Sequence, residues 1–150
     1  MTLEQRIADE LKNAMRAKDQ VALTVLRALK SALKYAEVAP GATGGAVSDA
    51  EAISVVRKQI KQRQDSIAQF EGAGRNDLAD KEKAEVAVLE TFLPKSLSEA
   101  ELEALLTQAL AETGATSKAQ MGAVMKWMQE KAAGRVDGKT LSQAVMKKLG

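Results

Sequence analysis

The sequence predicts an all-α protein in which a larger N-terminal helical domain precedes a small C-terminal three-helix bundle. Ala, Leu, Lys, Glu, Gln and Met dominate the 150 residues, and these are the strongest helix formers. Aromatics make up only 3% of the chain and β-branched residues are sparse, which works against strands. Only two prolines, Pro40 and Pro94, interrupt it. Apolar residues reach 45%, enough for a real core in one compact domain or two small helical ones.

The elements follow from caps and periodicity. Thr2 opens a capping box with Gln5, and Leu3, Ile7, Leu11 and Met15 recur at helical spacing. Asp19 caps a second helix with a stripe of Leu23, Leu26, Leu29 and Leu33. Both helices leave lysines and arginines on the opposite face. The glycine-rich stretch 39–47, APGATGGAV, matches no phosphate-loop spacing and has no strand before it, so it reads as a mobile connection. Ser48 and Glu51 start a long third helix to about Phe70, with Ile53, Val56, Ile60 and Ile67 inward and Arg57, Lys58, Lys61 and Arg63 outward. After Gly74, Asn76 or Asp77 starts a fourth helix whose apolar side is Leu78, Val86, Leu89, Phe92 and Leu93.

Pro94 marks the domain boundary, giving domains 1–94 and 95–150. Proline forces Leu93 out of helical geometry, and Ser98 then caps a new helix with Glu101 at the box position. Three shorter helices are expected, at roughly 98–112, 117–133 and 139–149, with Gly114 and Gly134 at helix ends. Met121, Val124, Met125 and Met128 form a stripe that reads as core, and Trp127 beside it reads as packing rather than base stacking. Gly122 marks either a close backbone approach to a ligand or, the favoured reading, close helix packing. The mixed charges from Asp77 to Glu85 suit i,i+4 ion pairs on a wet face better than a metal site.

With no Cys and no His, the chain lacks the parts for a Ser-His-Asp or Cys-His centre, an ordinary zinc site or a histidine base. No disulfide framework is possible, and nothing in MTLEQRIADELK reads as a signal peptide, so a cytoplasmic location is expected. No segment reaches the apolar length of a membrane span. Charge is uneven. Residues 1–94 hold 14 basic and 14 acidic side chains, residues 95–112 carry a net −3, and residues 113–150 a net +5. That last excess suits phosphate, which basic surfaces attract through counterion release. Arg135, Val136, Asp137 and Gly138 form a tight connection that leaves helix N-terminal amides as a phosphate seat.

Four stretches together resemble the YqeY family, stand-alone relatives of the tail domain of the GatB subunit of tRNA-dependent amidotransferase. They are RIADELKNAMRAKDQVALTVLRALKSALK, RKQIKQRQDSIAQFEGAGRNDLADKEKAEVAVLETFLP, MGAVMKWM and GRVDGKTLSQAVMKKL. Each alone is an ordinary helical segment; their order and spacing are specific. The resemblance implies a non-catalytic tRNA-binding accessory protein. A carbon–nitrogen ligase label with glutamine as amido donor would be inherited from other domains of the amidotransferase, because the chain has no amidase serine–lysine signature and no cysteine nucleophile. The phosphate-contacting positions it implies are Lys126, Arg135 and Lys139, followed by Lys147 and Lys148 on the last helix. No cofactor, metal or membrane is expected. The alternative is a helical protein-interaction module that docks on an amidotransferase or an aminoacyl-tRNA synthetase.

Overall fold

In the computed structural model, which describes residues 1–42 and 44–150, the apolar spacing resolves into helices almost throughout. They are α1 (Leu3–Ala17), α2 (Gln20–Val38), α3 (Asp49–Gly72), α4 (Asn76–Glu90), α5 (Glu99–Thr113), α6 (Met121–Ala132) and α7 (Gly138–Leu149). A 3-10 turn at Lys118–Gln120 precedes α6, so the single helix expected from 117 begins instead with a tighter turn. No strand occurs among the described residues, and none of their helices is long and apolar enough to cross a membrane. The all-α expectation holds.

The caps do what their side chains predict. Thr2 Oγ1 accepts from the Gln5 amide at 3.1 Å while the Thr2 amide donates to Gln5 Oε1 at 2.9 Å. Asp19 accepts from Ala22 N–H at 3.1 Å and Ser48 from Glu51 N–H at 3.2 Å. Each satisfies one amide that a helix start would otherwise orphan. At α4 the residue in the cap position is Arg75, which makes no side-chain cap. Its guanidinium instead grips Asp77 in the first turn, at 3.1 Å.

Contacts group the chain into two compact units, Met1–Leu93 and Pro94–Gly150. In the first, α3 and α4 form an antiparallel hairpin against α1 and α2. Its core includes Ile7, Val25, Leu26, Leu29, Val56, Leu89 and Phe92. The α1 stripe departs from its expected end. Ala14 is buried, whereas Met15 is 56% exposed. Steps of four drift about 40° per step on a helix of 3.6 residues per turn, so a 3-7-11-15 run rotates off the core face. The glycine-rich connection is anchored at its far end, where Val47 is buried and its N–H donates to Glu4 Oε2 at 3.2 Å. Thr43, within that loop, lies outside the described residues.

Glu85 is the buried charge of this unit. Its Oε2 sits 3.2 Å from Arg63 Nε, and Arg63 also donates to the Gln59 side chain at 2.9 Å. Arg63 therefore faces α4, not the outside as its position in the sequence suggests. Lys83 pairs with Glu71 at 2.8 Å. Glu85 and Lys83 of α4 thus reach back to α3 for their ion pairs, because a two-helix hairpin offers a facing helix as close as the next turn. In the second unit α5, α6 and α7 close around Leu106, Ala109, Val124, Met128, Leu141 and Val145. Met121, Met125 and Trp127 pack on that cluster, so the methionine stripe and the tryptophan are core and cover, as their spacing implies.

Candidate nucleic-acid interface

The basic side chains singled out in the sequence all belong to the second unit, and the connection between α6 and α7 decides where one of them points. Ala133 and Gly134 both adopt positive φ, 49° and 81°, turning the chain sharply back. The Arg135 guanidinium then donates from Nε to the Lys95 carbonyl at 2.8 Å and from Nη2 to Glu101 at 2.9 Å. Its own carbonyl accepts from Leu97 N–H at 2.9 Å. Arg135 thus fastens the segment that follows Pro94 to the far end of the bundle. The Ser98 amide and hydroxyl, and after them Arg135, hold the Glu101 carboxyl below the ordinary carboxylate range.

The helix start at α7 is also engaged. Asp137 Oδ2 accepts from Thr140 N–H at 3.2 Å, so a carboxylate occupies the place that the sequence reading reserved for phosphate. Such a cap stabilises the helix through its orphan amides and dipole. Lys139 lies in the first turn of α7, exposed. A cation there opposes the helix dipole, so local helix stability does not account for it.

Lys147 and Lys148 close the same helix, at the end where the dipole favours positive charge. Lys148 Nζ meets Glu103 Oε1 at 2.7 Å. Both lysines line a groove of about 560 Å³ between α5 and α7, with Leu102, Leu106 and Ala144 as apolar lining and Glu99 and Glu103 beside them. On α6, Lys126 is exposed. Lys126, Lys139 and Lys147 make no hydrogen bond or ion pair among the described residues.

Of the five predicted residues, the structure therefore leaves three cations open and commits Arg135 and Lys148 to carboxylates. Tertiary packing also tempers the charge. The +5 of residues 113–150 folds against the acidic α5, so the whole unit holds eight basic and six acidic side chains. Exposed pairs of this kind contribute about 0–1 kcal/mol, little enough to be exchanged for a phosphate. Gly122 does not reflect close packing, since a Cβ there would meet nothing within 4 Å. It falls in the first turn of α6, on an exposed surface. No cluster of His, Cys, Asp or Glu that could hold a metal occurs among the described residues. Chemically, the arrangement offers dispersed positive charge on rigid helices.

Comparison with known proteins gives a family and several relatives. The family model described as Yqey-like protein matches residues 4–149, in agreement with the resemblance seen in the four sequence segments. A protein of Pyrenophora tritici-repentis named Altered inheritance of mitochondria protein 41, mitochondrial, is 33% identical across 97% of this chain and 80% of its own length. Proteins of the same name from Lachancea thermotolerans and Clavispora lusitaniae are 34% and 33% identical, across 69% and 81% of this chain. The match spans 55% of the Lachancea protein and 71% of the Clavispora protein. These names describe their proteins as mitochondrial, which overturns the cytoplasmic expectation. The physical reason is that a cysteine-free composition excludes dependence on disulfides without separating one reducing compartment from another.

Proposed function

We propose, from the premise that this chain belongs to the YqeY family, that it is a non-catalytic tRNA-binding accessory protein related to the tail of glutamyl/aspartyl-tRNA amidotransferase. The observation that carries this reading is the trio Lys126, Lys139 and Lys147, exposed on the second unit with no carboxylate partner among the described residues. Lys139 and Lys147 are about 12 Å apart along one helix, by the rise of 1.5 Å per residue, so they would meet phosphates that are not neighbours on a strand. Lysines on flexible stems read charge and not base identity, so the contact would position RNA without specifying sequence. Arg135 and Lys148 join by exchanging Glu101 and Glu103 for phosphate.

The test is tRNA binding across a salt series by fluorescence anisotropy. Lys126→Glu, Lys139→Glu and Lys147→Glu together should weaken binding at least about tenfold and flatten the log–log salt dependence by about 2 to 3. Unchanged affinity and slope overturn the assignment.

A second reading, a helical protein-interaction module for an amidotransferase or an aminoacyl-tRNA synthetase, is favoured by the α5–α7 groove, whose apolar lining includes the half-buried Leu102 and Ala144. It predicts a protein partner retained after nuclease treatment and lost with Leu102→Lys.

A further inference from the structure

We propose that the outward face of α2, in the first unit, is a second RNA contact that takes a single-stranded segment, with Tyr35 stacking on an unpaired base and Arg27, Lys30 and Lys34 neutralising the flanking phosphates. The proposal rests on the RNA-binding reading above for its ligand class, but on separate residues.

The face is built by the period of the helix. Leu26, Leu29 and Leu33 are buried, which turns the opposite side of α2 to solvent from Arg27 onward. At about 100° per residue, Arg27, Lys30, Lys34 and Tyr35 fall within an arc of about 140°, and Arg27 and Lys34 are about 10 Å apart along the axis. The only acidic residue of α2, Glu37, is held 3.5 Å from Lys34 with its side chain 20% exposed. On α1, Glu4 lines a small cleft with Lys30 and Lys34. Its Oε2 already accepts from Val47 N–H. Arg27 and Lys30 make no ion pair among the described residues. The face therefore presents two uncompensated cations and a third only loosely paired.

Tyr35 gives the surface its chemistry. The chain has four aromatic residues. Phe92 is buried, Phe70 and Trp127 are half-buried, and Tyr35 is 71% exposed. An aromatic ring normally contributes by burying 150–250 Å², so an exposed one beside cations is surface available to a partner. Val38, 79% exposed, extends the apolar strip at the end of the helix. Stacked aromatic plus flanking cations is how proteins hold unpaired nucleotides. Duplex RNA keeps its bases stacked and offers Tyr35 nothing, which selects the single strand.

The experiment measures binding of a labelled oligouridylate of about 12 nucleotides to the full-length protein by anisotropy over a salt series. Circular dichroism checks that each variant stays helical. Tyr35→Ala should weaken binding about fivefold or more while Tyr35→Phe stays within about twofold, because stacking needs the ring and not the hydroxyl. Arg27→Glu with Lys30→Glu should weaken it at least about tenfold and reduce the salt slope by about 1.4, two single-strand contacts' worth. Tyr35→Ala with unchanged affinity overturns the proposal, as does equally tight binding to polyglutamate or to anionic phospholipid vesicles. If the Lys126, Lys139 and Lys147 reversals abolish RNA binding while the α2 variants leave it intact, this inference falls and the second-unit site stands. The reverse pattern keeps the α2 contact and removes the second-unit assignment, and a wild-type protein that binds neither tRNA nor the oligonucleotide removes both.

Discussion

Replacing Glu85 with Leu strips the half-buried Arg63 of its carboxylate, and the cost can be worked from the structure. Glu85 is 6% exposed and the pair is 3.2 Å apart. At that distance the attraction is about 5 kcal/mol with an effective dielectric of about 20, most of it offset by desolvation of the two charges. Removing one partner of a buried pair costs about 3–5 kcal/mol because the other charge is left in a poor solvent. Two features reduce this. Arg63 keeps its bonds to Gln59, at 2.9 and 3.3 Å, and the neighbouring Glu82 interacts with Arg63 through charge. The expected loss is therefore about 2–3 kcal/mol. Replacing both residues, Arg63→Met with Glu85→Leu, should return stability to within about 1 kcal/mol of the parent. Urea titrations followed by far-UV circular dichroism on the parent, both single variants and the double variant close the thermodynamic cycle. A Glu85→Leu loss below about 0.5 kcal/mol, or a double variant as unstable as the two singles added, would refute the argument.

Three further outcomes follow from single contacts. Burial first, and then the Glu85 charge, raise the Glu82 carboxyl above its ordinary value of 4.5. The folded state therefore holds more protons than the unfolded state just above that pH, so this group's contribution to stability falls as pH rises through the window. Glu82→Gln should remove that fall in stability measured against pH. Asp137→Ala removes the cap of α7 and should cost about 1 kcal/mol in urea unfolding followed by Trp127 fluorescence. Met128 has no exposed surface, so Met128→Ala should cost about 2–5 kcal/mol by the same probe, with Met128→Leu costing under about 1.5.

The elements were legible in the sequence because their causes are local. Ser98 and Glu101 form their box across three residues, at 3.1 and 3.4 Å, and Gly114 ends α5 at a φ of 68° that glycine accepts without strain. The stripe of Val124 and Met128 depends only on the helical period. The candidate interface was less legible. Lys126, Lys139 and Lys147 were visible as charges, but Arg135 and Lys148 carry no local sign that they reach Glu101 and Glu103, 34 and 45 residues away. The α2 face had no motif at all, since a tyrosine in a leucine-rich helix reads equally well as core. The leucine stripe sets Tyr35 on the far side of α2, and the tertiary structure adds that it stays 71% exposed there.

By itself, then, the sequence determined an all-helical chain, the starts and ends of most helices, and the apolar positions that close each core, because capping and amphipathic burial act within one or two helical turns. Tertiary structure alone decided which charges remain available to a partner. It laid acidic α5 against basic α7 and turned Arg63 inward to Glu85. Opposite charges far apart in sequence meet only when helices pack, so the five cations that looked equally open in the sequence became three open lysines and two engaged cations.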